Sequence, residues 1–329
     1  MAYVHLTESE RNVIYNMKYL EYSVVDIARS VGKSRATIYR EVNRNANSDG
    51  RYIPDVSQIK ANSRKRFKVV SPKTGNKRLM NYVRSKLRSY WSPEQISGRL
   101  SEHAHANDPS MQISCQTIYR WIWSDTQRSA ELKPFMRIAS KPRRQRYGMP
   151  SARGLIPDRV PIAQRPEEVE HRERYGDWEG DTIVGIRHKS FVMTCVDRMS
   201  RYLVAGKMCD KQSLSLNSAM FTAFKNIAMS KRQTLTVDNG KEFAGFKELR
   251  RELGLAVYFA DPYRSWQRGT NENTNGLLRQ FFPKKTDFSK VEKKELAFIV
   301  NMLNNRPRKC LNYQTPAEVF NEPVVALRM

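Results

Sequence analysis

The chain has little cysteine: four in 329 residues, at positions 115, 195, 209 and 310, with no C-x-x-C pair. That usage excludes a disulfide framework or zinc ribbon and points to reduced thiols in a cytoplasm. No apolar run reaches the ~18 residues that a membrane-spanning helix needs. The opening MAYVHLTESE carries acids where a secretion signal needs bases and an apolar stretch. His103 and His105 have no cysteine pair beside them, which argues against a metal site there. Acids are also scarce: 33 Asp and Glu face 58 Lys and Arg, for a net charge of +25. Residues 1–150 hold 28 bases and 12 acids (+16), and the remainder holds 30 and 21 (+9). A polyanionic partner explains such a bias, and nucleic acid is the commonest one. No long basic amphipathic helix speaks for a membrane surface instead. At 40% hydrophobic residues the chain has material for real cores, so wholesale disorder is excluded.

The basic half reads as a duplicated helical unit. Thr7-x-x-Glu10 is a capping box opening a helix to about Leu20. Ser23 caps Val24–Ser30, Gly32-Lys33 makes a tight turn, and Ser34 caps a third helix to about Arg44. That layout predicts a helix-turn-helix. Ile38 and Val42 point inward, leaving Arg35, Ala36, Thr37 and Arg40 for a major groove; Arg suits guanine edges or phosphate, Thr a base or thymine methyl. Eighty residues on, Ser114-Cys-Gln-Thr-Ile-Tyr-Arg120 repeats the S-x-x-T-I-Y-R of Ser34–Arg40. Arg120 therefore stands where Arg40 does. Ser92-Pro-Glu-Gln95 is a second capping box, opening Gln95–Leu100 ahead of a long loop at 101–113. The expected division is a first helix-turn-helix at 1–50, a basic connector at 51–90, and a second helix-turn-helix at 91–130. A basic, proline-rich linker at 131–172 and a catalytic domain at 173–329 follow. Arg64–Lys68, Lys73–Arg78 and Lys141–Arg146 are the connectors' charge runs, and they suit phosphate contact.

From Tyr175 strands are expected: Trp178–Ile186, then a hairpin of Ser190–Val196 and Arg201–Lys207 about Asp197–Ser200. A helix at Ser213–Met229, a strand ending at Asp238, a helix at Phe246–Leu253, a strand at Leu255–Ala260 and a helix from Thr270 complete a mixed α/β sheet. Asp181 lies on the first strand, Asp238 at a strand end and Glu272 in a first helical turn. Such positions meet at the ligand edge of α/β folds. Three acids gathered there repel one another unless divalent cations bridge them, and they suit two-metal phosphoryl transfer. Glu272, Asn275 and Arg279 share one helix face, which brings an acid to metal and a base to a DNA backbone.

The segments W-E-G-D (178–181), T-V-D-N-G-K-E-F (236–243) and R-G-T-N-E-N-x-N-G-L-L-R-Q-F-F-P (268–283) resemble insertion sequence family thirty of the bacterial transposases. The closing N-N-R-P-R-K-C-L-N-Y-Q-T-P-A-E-V-F (304–320) is similar to the end of integrase-type cores. The 33 residues between Asp238 and Glu272 fit that family's pattern. The resemblance implies a ribonuclease-H-like α/β core behind all-α helix-turn-helix domains. It also implies that Asp181, Asp238 and Glu272 carry two Mg²⁺ ions, with Mn²⁺ able to substitute, and that Arg279 matches a basic residue seven positions past the acid. The activity it implies is transposition: binding terminal inverted repeats, cutting and joining DNA strands, passing through a circular junction, as a dimer or larger assembly in the bacterial cytoplasm. Two other classes are a helix-turn-helix repressor with an inactive core, and a nuclease or resolvase that hydrolyses without joining.

Other residues compete for these roles. Asp177, Glu179, Asp197 and Glu242 are neighbouring acids, and Asp197, read as a turn acid, is expected to tolerate Asn. His171-Arg-Glu-Arg174 with Tyr202 matches a tyrosine-recombinase pattern but falls in an acid-rich stretch. Trp178 reads as core, whereas Trp266, beside Tyr263 and Arg264, is a candidate for DNA contact.

Overall fold

The computed structural model describes residues 5–47, 49–67, 72–124, 131–137, 156–262 and 264–322. The basic run Lys141–Arg146, Lys68, Tyr263 and residues 125–130 lie outside them. The chain divides into two units, Met1–Lys77 and Arg78–Met329.

In the first unit the sequence signals become caps. Thr7 and Glu10 close a capping box on α1 (Glu8–Tyr19). Ser23 caps α2 (Val24–Val31), which ends at Gly32 in the left-handed conformation, φ +65°. A side chain is strained there, so glycine sets the turn. Ser34 then caps α3 (Arg35–Asn45). Leu6, Ile14, Ile27, Ala28, Ile38 and Tyr52 form the core.

The stretch expected as a basic connector at 51–90 holds regular structure. Most of it is helical: α4 (Pro54–Phe67) and α5 (Lys77–Arg88). The α4 helix belongs to the first unit, where Gln58 accepts from the buried Arg11, itself paired with Glu41 at 2.7 Å. Lys60 Nζ donates to Ala46 O at 2.7 Å, satisfying the end of α3. A charge-rich stretch hid a helix whose polar residues bind α1 and the end of α3.

The second unit opens with α5, α6 (Pro93–Arg99) and α7 (Cys115–Ser124) around Leu79, Val83, Leu87, Ile96, Ile118 and Ile122. This cluster is clamped to the chain's final segment. Arg306 Nε donates to Gln95 Oε1 at 2.8 Å, and Arg99 Nη1 donates to Tyr313 O at 3.1 Å and Glu318 Oε2 at 2.9 Å. A Cβ at Gly98 would collide with the Tyr313 ring, so glycine permits this approach. His103 Nε2 donates to Asn312 O at 2.6 Å, and His105 meets Tyr82 edge-on; both histidines have structural partners.

After a short α8 (Glu168–His171) comes a five-stranded mixed sheet, β1 (Asp177–Val184), β2 (Phe191–Asp197), β3 (Leu203–Met208), β4 (Thr234–Val237) and β5 (Ala256–Phe259), in the order β3-β2-β1-β4-β5. The β1–β2–β3 pairs are antiparallel and the β1–β4–β5 pairs parallel. Helices α9 (Ser213–Phe224) and α10 (Phe246–Leu253) pack on one face; α11 (Gly269–Phe281) and α12 (Lys293–Asn304) pack on the other, and α13 (Pro316–Asn321) follows. Alternation along β1 sorts its side chains between the faces. Trp178 joins the core under α9, while Ile183 joins Leu277 and Leu278 of α11.

Candidate active site

The first strand turns Glu179, Asp181 and Ile183 toward α11. The parallel register sets Glu179 opposite Thr236. Asp181 and Asp238 each lie two residues past that pair, Asp238 directly after β4, and both face Arg268. The two carboxylates therefore lie side by side. Asp181 Oδ1 accepts from Thr182 N at 2.8 Å and Oδ2 from Asn275 Nδ2 at 3.0 Å. Asp238 Oδ1 accepts from Gly240 N at 2.9 Å. A Cβ at Gly240 would stand 2.8 Å from that oxygen and 2.5 Å from Glu242 Oε2, so a side chain there would push both carboxylates aside.

One cation faces both acids. Arg268 Nη1 lies 3.4 Å from Asp181 Oδ1, and Nη2 lies 3.6 Å from Asp238 Oδ2. Burial pushes the Asp181 carboxyl above its ordinary range; Arg268 opposes the shift and the charge on Asp238 adds to it.

Glu272 is exposed in the first turn of α11. Its helix is fastened to the sheet by its neighbours. Asn271 N donates to Glu179 Oε2 at 2.9 Å, and Asn271 Nδ2 to Glu179 O at 2.7 Å. Thr194 Oγ1 reaches Asn275 Oδ1 at 2.9 Å. Glu272 and Asn275 are spaced i, i+3 on one side of α11, and Arg268 stands just before its first turn. Glu272 thus sits between two residues that touch Asp181. Among the described residues no three His, Cys, Asp or Glu side chains converge closely enough to hold a metal ion. The structure brings Asp181 to Asp238 and leaves Glu272 facing solvent beside them.

The aspartate pair fits a divalent cation. Its donors are all oxygen, its side chains are 29% and 27% exposed, and it already shares a positive charge. Competing acids are committed elsewhere. Asp177 pairs with Arg174 at 2.9 Å, Glu179 with Arg198 at 2.8 Å and Glu242 with Lys211 at 3.2 Å. Asp197 is fully buried and accepts from Gly176 N, Ser200 N and Ser200 Oγ at 2.8, 2.8 and 2.6 Å. Asp197 is thus a turn acid, as expected, and it organises the β2–β3 turn from inside the core. Tyr202 stacks on Phe320 at 4.3 Å, so it is packing rather than a nucleophile.

The basic candidates differ among themselves. Arg35, Arg40 and Arg120 are exposed on α3 and α7, and Thr37 is half-buried. Ser34 Oγ meets Thr37 Oγ1 at 2.9 Å and Ser114 Oγ meets Thr117 Oγ1 at 2.9 Å, so the sequence repeat is a repeat of cap geometry. Arg279 donates to Val184 O at 2.8 Å and toward Phe282 O and Pro283 O at 3.4 and 3.3 Å, and burial lowers its guanidinium below the ordinary value. Much of its donor capacity is spent on the ends of β1 and α11. Trp178 is fully buried and Trp266 is 70% exposed. Arg268, Thr194 and Asn271 escaped the sequence reading; the one signal for Arg268 was a cation four residues before Glu272.

The integrase core domain family matches residues 171–265 and a helix-turn-helix domain family matches residues 2–45. With the sheet and its carboxylate pair, this defines a polynucleotidyl transferase with a ribonuclease-H-like integrase core and a DNA-binding helix-turn-helix. The transposase for insertion sequence element IS4351 of Bacteroides fragilis is 40% identical, covering 97% of this chain and 96% of that protein. Transposase InsI for insertion sequence element IS30A of Escherichia coli (strain K12) is 37% identical over 98% of this chain and 85% of its own length. The transposase for insertion sequence element IS1086 of Cupriavidus metallidurans is 38% identical over 97% and 94%. The chain belongs to the IS30 family of DNA transposases. The integrase core match ends before Glu272.

Proposed function

We propose that the protein binds the terminal inverted repeats of its own element and carries out metal-dependent strand cleavage and strand transfer on double-stranded DNA. Asp181, Asp238 and Glu272 are its metal-holding residues, for two Mg²⁺ ions that Mn²⁺ can replace. The observation that carries this reading is the side-by-side pair of Asp181 and Asp238 facing one cation, with the helix of Glu272 tied to Asp181 through Asn275. Divalent cations supply activation of the attacking oxygen and charge neutralisation at the phosphate. The chain's own residues hold those acids at fixed spacing and keep α11 against the sheet. Arg279 holds the end of β1 in place and offers its remaining donors to the DNA backbone.

Residues 1–77 and the α5–α7 cluster are the two DNA-reading parts, with Arg35, Thr37 and Arg40 on one and Arg120 on the other. A dimer or larger assembly holds two ends. The deciding experiment incubates pre-cut repeat ends with plasmid and Mg²⁺. Joined products are expected, and hydrolysis without joining returns the protein to the nuclease class.

A further inference from the structure

We propose that Arg268 is a positioning residue that holds Asp181 and Asp238 together until divalent cations take its place, and that its freed guanidinium then takes a DNA phosphate. This inference rests on the metal-holding reading of the two aspartates.

Two adjacent carboxylates disfavour each other's charge unless a cation stands near. Arg268 is that cation, with its side chain 14% exposed. It is poorly satisfied there. Nη1 is shared between Asp181 Oδ1 and Gly180 O (3.4 and 3.2 Å), Nη2 stops 3.6 Å from Asp238, and the buried Nε finds no acceptor among the described residues. Nη2 is beyond hydrogen-bonding distance.

Arg198 shows what a structural arginine looks like in this chain. It is more enclosed, at 3% exposed, yet its Nε, Nη1 and Nη2 reach Val169 O, Glu179 Oε1 and Glu170 Oε2 at 3.1, 2.8 and 3.0 Å. The contrast assigns Arg268 a second partner with more oxygens to offer. Its own backbone is outside the helix proper, at φ −125°, ψ 35°, closing a single 3₁₀ turn that presents exposed Trp266. Any cation on Asp181 Oδ1 and Asp238 Oδ2 competes with this guanidinium for the same oxygens. A phosphate matches the planar fork and sits where the scissile strand must lie.

The test uses the full chain without DNA, titrated with Mn²⁺ by calorimetry, alongside melting curves in EDTA. Arg268→Gln is expected to bind Mn²⁺ about tenfold more tightly than the native chain, an effect of about 1.4 kcal/mol. It should melt lower in EDTA and recover with Mn²⁺, and Arg268→Lys should stay near native in both. Equal or weaker Mn²⁺ binding by Arg268→Gln overturns the inference while leaving the metal reading intact. If Asp181→Asn binds Mn²⁺ as the native chain does, the metal reading falls and this inference with it. With pre-cut repeat ends and Mn²⁺, Arg268→Gln should also flatten the salt dependence of DNA binding by a slope of about 0.9, one phosphate contact. An unchanged slope overturns the phosphate step.

Discussion

Asn275 donates its side-chain amide to Asp181 Oδ2 at 3.0 Å, so the helix that carries Glu272 is bonded directly to the strand that carries the first aspartate. Glu272 itself points to solvent, and its placement depends on this bond and on Asn271. Asn275→Ala should therefore slow strand cleavage by about 10–100-fold, the usual effect of removing a ligand's orienting partner. Binding to the terminal repeat should stay within about threefold, less than ~1 kcal/mol. Cleavage and gel-shift assays on the same preparation separate the two.

Direct replacement of the acids should cost more. Asp181→Asn, Asp238→Asn and Glu272→Gln remove charge while barely changing volume. Mg²⁺-dependent cleavage should fall on the order of 10³-fold or more in each. Normal cleavage by any one variant would show that its acid is wrongly assigned.

Asp197→Asn should behave in the opposite way to those three. Both of its carboxylate oxygens accept from N–H or O–H donors, so an amide NH₂ must face one of them. The expected loss is about 2 kcal/mol of stability, roughly 4–8 °C in melting temperature. The active-site variants should melt close to the native chain when Mn²⁺ is absent. Thermal unfolding followed by circular dichroism distinguishes the two groups.

Arg35→Ala and Arg40→Ala should weaken repeat binding by about 1–3 kcal/mol and relax sequence preference where each reads a base. Arg120→Ala tests the second copy of the motif. A loss equal on random DNA marks a phosphate contact instead. Fluorescence anisotropy with repeat and scrambled duplexes reads both outcomes.

Acid should loosen the clamp between the α5–α7 cluster and the final segment. Burial raises the Glu318 carboxyl, but hydrogen bonds from Arg99 and the Thr315 backbone, with the charge of Arg99, outweigh it and lower it below its ordinary 4.5. A carboxyl lowered by folding contributes stability above its unfolded value, and that contribution is lost as pH falls through the folded one. Melting temperature should therefore drop between about pH 5 and pH 3, and less so in Glu318→Gln. Equal slopes for both proteins would remove this pair from the account.

Much of the fold was legible in local chemistry. Thr7, Ser23, Ser34, Ser92 and Ser114 cap helices as their spacing predicts, because a cap needs only one side chain and the next turn of backbone. The strand expected at Trp178–Ile186 forms as Asp177–Val184. The α4 helix was not legible, because its partners Arg11 and Ala46 lie on α1 and at the end of α3, and basic composition alone resembles a linker.

By itself the sequence determined the charge bias, the doubled S-x-x-T cap, the succession of strands and helices along the catalytic half, and the three acids with their spacing. Each is a property of a few neighbouring residues, and local propensity or composition suffices to read it. Only the tertiary structure decided which acids stand together, that Arg268 faces two of them, and that Asp197 belongs to the core. Those outcomes depend on the parallel β1–β4 register and on α11 docking across β1 and β2, which join residues far apart in the chain. Burial and charge pairing are set by such distant neighbours, and no local window of the sequence contains them.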